Sequence, residues 1–306
     1  MNQDIIFHHY PTSPFSEKIR LAFGIKHLAW RSVEIPNMMP KPDLIPLTGG
    51  YRKTPVMQIG ADIYCDTQII LREIERRFPE PTLFPNGDGL AYALAFWADR
   101  IFFMPTVAII FGEIGDQVPE AFKKDRAAMS GNTFSTDAMK AAAPFVRDQY
   151  RAHVDFVAGT LKDGRAFLEG ERASAVDAHA MMNIWFLNGA LPHVAKPLLA
   201  EYPQVEAWYG RLRTIGHGKM TPMDAKEALR IAKEAAPEAK PGSDEHDPLG
   251  RRPGQSVTIS ADDYGRDPIA GEIVVSNAHE IAIRRTDPLV GDVVVHFPRA
   301  GFNVAT

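Results

Sequence analysis

The stretch from Arg52 to Arg77 reads RKTPVMQIGADIYCDTQIILREIERR. A short apolar run, Val56–Ile59, is separated by Gly60-Ala61-Asp62 from a second, Ile63–Cys65. Two such runs joined by three residues that include a glycine predict a β-hairpin. A helix then opens at Asp66-Thr67. Asp66 is a good N-cap, and Ile69, Ile70, Ile74 and Phe78 recur at helical spacing. Arg52 and Lys53 stand just before Thr54-Pro55. A basic pair, a strand edge at a proline, and an acid plus a hydroxyl at a helix start together suit a small zwitterionic peptide.

Upstream, Asp4–His9 predicts a first strand and Ala29–Glu34 a second. Between them Ser13-Pro14 starts a helix over Phe15–Lys26. The signals are a hydroxyl N-cap, proline at the first helical position and Glu17 in the first turn. Pro36–Pro46 is a proline-rich loop. The resulting β-α-β, then β-β-α order is a thioredoxin-like arrangement, a mixed sheet with helices on both faces.

Downstream, Phe78–Pro85 is a proline-punctuated linker, and the chain to about Glu234 is helical in pattern. Leu90–Phe111 predicts a long helix kinked or ended near Pro105. Ala138–Leu161 predicts another, interrupted near Pro144. Ser174–Leu187 opens with a Ser174-to-Asp177 capping box. Glu206–Ile215 and Asp224–Glu234 are shorter. Residues 237–255 are rich in Pro, Gly and charge and predict a solvated linker. After it the period changes to two, with strands expected at Val257–Ile259, Glu272–Val275, Glu280–Arg284 and Asp292–His296. The expected fold is α+β/α: a thioredoxin-like domain (1–78), a linker (79–85), an all-helical domain (86–236), a second linker (237–255) and a small β-rich extension (256–306). So small a β unit needs to pack on the body to be stable.

The 306 residues are 45% hydrophobic and 24% charged, enough for a sizeable core. A net charge of −4 without a basic block argues against a nucleic-acid partner. No apolar run approaches the ~20 residues of a membrane span, and MNQDIIFHHY lacks the flanks of a signal peptide. The single Cys65 excludes an internal disulfide and a cysteine-based zinc cluster. His8 and His9, neighbours on a strand, face opposite ways and make a poor metal pair. A cytoplasmic protein with no metal and no membrane partner is the expectation.

The chain resembles the cytosolic glutathione S-transferase superfamily over residues 4–235. The residues that carry this are Ser13-Pro14, the run Lys18–Phe23, Lys53-Thr54-Pro55-Val56 with Gly60, and Asp66-Thr67 with Ile70 and Glu75. Leu83-Phe84-Pro85, Phe167–Gly170 and Ser174–Asp177 complete the pattern. The β-rich tail lies outside the family pattern. The resemblance implies a cis peptide before Pro55, glutathione as cosubstrate, a small-molecule electrophile and a homodimer.

Glutathione has a zwitterionic γ-glutamyl end, a central thiol and a glycine carboxylate. The helix start at Asp66-Thr67 offers N–H groups and a hydroxyl to the γ-glutamyl carboxylate, and Asp66 can take the ammonium or only cap its helix. Thr54 can pair with the cysteinyl unit like an added strand, with Pro55 and Val56 beside it. Lys53, or Arg52, can meet the glycine carboxylate. The thiol needs activation. Ser13, at a helix N-terminus, resembles the catalytic residue of serine-type members, and Tyr10 and His9 are alternatives. Cys65 reads as a small buried hydrophobe. Trp97, Arg100 and Met104, at three- and four-residue spacing, are candidates for the electrophile pocket, or for core or dimer interface.

Overall fold

The structure, a computed structural model, describes residues 4–306. Strand β1 (Ile6–His9) runs parallel to β2 (Ala29–Glu34) and antiparallel to β3 (Val56–Ile59). β3 turns at Gly60 into β4 (Asp62–Cys65). Side chains alternate along these strands. Phe7, Met57 and Tyr64 pack with α1 (Pro14–Ile25) and α3 (Thr67–Arg77). Ile6, Val56, Ile63 and Cys65 face the other side, toward the one-turn α2 (Ile45–Thr48). This is the expected thioredoxin-like domain.

The helical domain begins with α4 (Asp88–Phe96) and α5 (Phe103–Glu113), joined without a break by a π-helical turn, Trp97–Phe102. Pro105 therefore does not end the helix. It lacks an N–H to return to the preceding turn, and the turn before it widens instead. The continuous run Asp88–Glu113, 26 residues, is long and apolar enough to cross a bilayer by length and composition, which the sequence reading missed. Here it is a helix of the bundle, packed on α7 (Thr136–Thr160) and α8 (Ala175–Ala190).

α7 also corrects an expectation, since it continues through Pro144. It lies close along α5: a Cβ added at Gly112 would stand 2.9 Å from the Lys140 nitrogen. Burial along that contact offsets the roughly 3 kcal/mol that an internal proline costs. The α8 capping box is present, with Ser174 N donating to Asp177 Oδ2 at 2.9 Å. The buried Asp177 also accepts from Leu168 N and Trp208 Nε1, so the cap ties three segments together. α6 (Glu120–Ser130) and α9 (Pro192–Ala200) were not predicted, and α10 (Pro203–Ile215) starts three residues early.

The boundary drawn at 236 moves. β5 (Lys219–Pro222) pairs parallel with β2, and α11 (Ala225–Glu234) buries Ala228, Leu229, Ile231 and Ala232 on the outer face of the sheet. The chain has thus left the bundle by residue 219.

The tail is the continuation of the first sheet. It holds the short β6 (Gly242–Ser243), then β7 (Ser256–Ala261), β8 (Ile269–Ser276), β9 (Glu280–Asp287), β10 (Gly291–Pro298) and β11 (Phe302–Ala305). Among the described residues one eleven-stranded sheet runs β11-β7-β8-β9-β10-β4-β3-β1-β2-β5, with β6 beside β8. The joint is β10 against β4, parallel, with Val295 opposite Ile63 and His296 opposite Tyr64. Val293, Val295 and Phe297 share a core with Ile63, Val56 and α11. The tail thereby gains the burial its size demands.

His296 explains why the joint is specific. Its ring stacks on Tyr64 at 4.4 Å between centroids. Nε2 bonds to Asp62 Oδ1 at 2.9 Å and Nδ1 to Glu280 Oε1 at 2.5 Å. Burial pulls the imidazole's pKa down, but Asp62 and Glu280 outweigh it and hold it at about 9, against an ordinary 6.5. The folded state therefore binds this proton more tightly than the unfolded chain. The stabilisation is complete below pH 6.5 and is lost as pH rises through 9. We predict that unfolding free energy falls by about 3 kcal/mol between those limits. His296→Gln should remove that pH dependence in denaturant titrations; an unchanged slope in the variant would contradict the clamp.

Candidate functional site

A cleft opens where the first domain, the helical domain and the tail meet. Its enclosed space is small, about 50 Å³, below the roughly 300–1,000 Å³ of preformed small-molecule sites. Thr54, Pro55, Asp66 and Thr67 line it from the first domain, and Phe96, Asp99 and Arg100 from the helical run. Asp263, Tyr264 and Phe302 line it from the tail.

The Thr54–Pro55 peptide is cis, as the family resemblance implies. Asp66 caps α3, with Oδ1 accepting from Gln68 N at 2.9 Å. It does so at φ +98°, which a non-glycine residue rarely adopts. Burial pushes its carboxyl above the usual range, partly offset by the Gln68 N–H and Lys53. A half-buried carboxyl in an unusual backbone conformation, lining a cleft, marks a candidate binding position.

Thr67 shows a partner that sequence reading missed. Its Oγ1 accepts from Lys18 Nζ at 3.2 Å, and the same Nζ bonds Asp99 Oδ1 at 2.5 Å. Lys18 is completely buried. It joins α1, the start of α3 and the helical domain, placing a positive charge behind the anion-facing end of α3. Burial raises the Asp99 carboxyl's pKa against the pull of Lys18. Lys41 was also missed. Its Nζ donates to Arg52 O and Thr54 Oγ1 at 2.8 and 3.0 Å. Burial, Arg126 and Arg52 lower its pKa to about 8.

Lys53 reaches the cleft but is already paired. Nζ lies 2.6 Å from Asp263 Oδ1 and 4.5 Å from the centre of the Tyr264 ring. Arg52 turns away to Asp125 on α6. Val56 is buried in the outer core rather than in the cleft. Arg100 lines the cleft and is held by Asp262 Oδ1 at 2.5 Å. Trp97 and Met104 are not brought there. The Trp97 ring stacks on Phe102 and its Nε1 bonds His153, while Met104 is 63% exposed. The π turn shifts the helix's facing, so the three-and-four spacing does not keep the residues on one side.

Ser13 caps α1 and accepts from Ser16 N at 3.1 Å. It is 1% exposed and does not line the cleft. Tyr10 sits beside it. Burial pushes its phenol pKa up, offset by Arg126 and by a bond to Ser13. His9 bonds Ser32 and Arg20, and burial drops its pKa to about 3. His8 bonds Gln58. Cys65 is fully buried in the outer core, where burial raises its thiol pKa.

The Lys18–Asp99 pair generates a test. Lys18→Met leaves a shielded carboxylate without its cation and should cost about 3–5 kcal/mol of stability. Adding Asp99→Asn should recover a large part of that. Additive losses in this double-mutant cycle, read from denaturant unfolding, would show that the two residues are not coupled.

Comparison with known proteins agrees with the fold. A family model described as the glutathione S-transferase N-terminal domain matches residues 7–82, and a domain of unknown function matches residues 107–219. A GST-like protein from Pseudomonas syringae, of known crystal structure, is 38% identical. The match covers 99% of this chain and 100% of that one, with a TM-score of 0.81. FtsZ-localized protein A from Caulobacter vibrioides is 22% identical over 222 residues, covering 70% of this chain and 89% of that protein. A transferase from Ceriporiopsis subvermispora, solved in complex with glutathione, is 19% identical, with coverage of 70% and 98% and a TM-score of 0.52. These last two share the fold alone, whereas the Pseudomonas protein matches along the whole length, tail included. The chain belongs to the glutathione S-transferase superfamily.

Proposed function

We propose that the cleft binds glutathione or a closely related γ-glutamyl thiol, and that the protein is a glutathione transferase acting on a small electrophile. The observation that carries the reading is the meeting of Thr54-Pro55 with Asp66-Thr67 across one cleft. The α3 N-terminus, backed by Lys18, suits the γ-glutamyl carboxylate. The Asp66 carboxyl suits its ammonium. The cysteinyl unit then lies along Thr54 with its sulfur toward the start of α1. There the Ser13 hydroxyl, in the positive end of the α1 dipole, is the donor we assign to the thiolate, with Tyr10 next to it.

Two observations favour a second reading, a binding or scaffold protein on the same fold. Ser13 is shielded from the cleft, and Asp263 occupies Lys53. Fold alone does not decide between them.

We also propose a homodimer. Leu90, Leu94, Ile101 and Met104 along the α4–α5 run, with Phe145 and Phe156 on α7, are exposed apolar side chains. A second copy is the occupant that such a face on this fold suits.

The expected outcomes are these. Thr67→Ala weakens glutathione binding at least about tenfold in calorimetry, while Ser13→Ala leaves binding intact and lowers conjugation of a generic electrophile by about tenfold or more. Light scattering gives twice the 33.9 kDa chain mass. Binding without any turnover in the wild type would select the scaffold reading, and a Tyr10→Phe variant dead where Ser13→Ala is active would reassign the donor.

A further inference from the structure

The tail loop Asp262–Arg266 changes the charge of the cleft. Asp263 puts its carboxylate on Lys53, the position read from the sequence as the partner of a ligand's terminal carboxylate. Arg100, the other cation lining the cleft, has Asp262. Asp66 and Asp99 stand on the same walls. Among the lining residues, carboxylates outnumber cations by one. A ligand with two carboxylates and one ammonium would bring a net negative charge into a cleft of the same sign.

The loop is built in at several points. Asp262 N donates to Gly301 O at 3.0 Å, and Gly265 N to Met129 O of α6 at 2.7 Å. Arg266 Nε returns to Asp263 O at 2.8 Å, and Tyr264 N donates to Asp263 Oδ1 at 2.6 Å. Tyr264 is half-buried at the cleft, and burial followed by Asp263 raises its phenol pKa. Gly265 sits at φ +62° with its missing Cβ only 3.3 Å from the Lys53 stem, so the turn fits against that lysine as glycine. A ligand carboxylate reaching Lys53 would have to share its ammonium with a carboxylate that the Tyr264 N–H holds in place.

We infer that Asp263 is a specificity determinant that makes the cleft take a γ-glutamyl thiol whose far end is amide-capped, in preference to one ending in a free carboxylate. This rests on the proposed function above. The capped end presents an N–H to Asp263 and no charge to repel it, whereas a free carboxylate would lie beside Asp263 with Lys53 already neutralised. Two like charges held side by side in a partly buried site repel, because the effective dielectric there is well below that of water.

The test is calorimetry of the full-length protein with glutathione and with glutathione amide, blocked at the glycine carboxyl. The wild type should bind the amide at least about tenfold tighter. Asp263→Asn should lose that preference, mainly by gaining affinity for glutathione, and Asp263→Glu should keep it. Equal or tighter binding of glutathione by the wild type, or a ratio unmoved by Asp263→Asn, overturns the inference and leaves the proposed function standing. Binding of neither thiol by any of the three proteins overturns both.

Discussion

The parallel ladder between β4 and β10 is the contact on which the rest of the architecture depends. Without it β4 would be an edge strand, with a row of backbone groups open to pairing with other chains. With it, the sheet of the first domain and the sheet of the tail become one, and the apolar side chains of β10 close a core with α11 and the outer face of β3 and β4. The ladder is locked by charge as well as by burial. Asp62 is wholly buried; one oxygen takes His296 and the other takes the Glu238 N–H. A buried carboxylate of this kind is tolerated because each oxygen has a donor.

That joint also positions the cleft. Once β10 is fixed on β4, the β7–β8 loop has little choice but to lie over Lys53 and against α6, carrying Asp262, Asp263 and Tyr264 to the mouth. The result is a site with three walls from three parts of the chain. Nearly every cation near it is committed: Lys18 to Asp99, Lys53 to Asp263, Arg100 to Asp262 and Arg52 to Asp125. Such pairing leaves the lining cations Lys53 and Arg100 already matched, with the backbone donors of α3 and the peptide edge at Thr54 as open polar features. The tail supplies one wall of the cleft through Asp263, Tyr264 and Phe302.

Local signals were legible in the sequence, and long-range ones were not. The Asp66 and Ser13 caps and the Ser174–Asp177 box are each written within four residues, and the hairpin within the short span Val56–Cys65, so their physics is readable without a fold. Strands β7 to β10 followed from period two. Lys53 and Asp263 are 210 positions apart and Lys18 and Asp99 are 81 apart, and no spacing rule joins them. β5 was missed because Lys219–Pro222 carries no apolar alternation; it exists only because β2 offers an edge. Pro144 misled because local propensity yields to packing when a helix is pressed along a neighbour. Trp97 and Met104 misled because a π turn breaks the assumed 3.6 period. His296 reads in the sequence only as the end of a strand, and its role lies in Asp62 and Glu280, which only the joined sheet brings to it.

The central claim is that tail and first domain form one cooperative sheet. Native-state amide hydrogen exchange, read by residue, tests it most directly. The account requires the β10 amides from Val293 to Phe297 to exchange together with those of β3 and β4, through one opening of the same free energy. Fast exchange across β7 to β10 while β1, β3 and β4 stay protected would show a separately opening appendage and would contradict it.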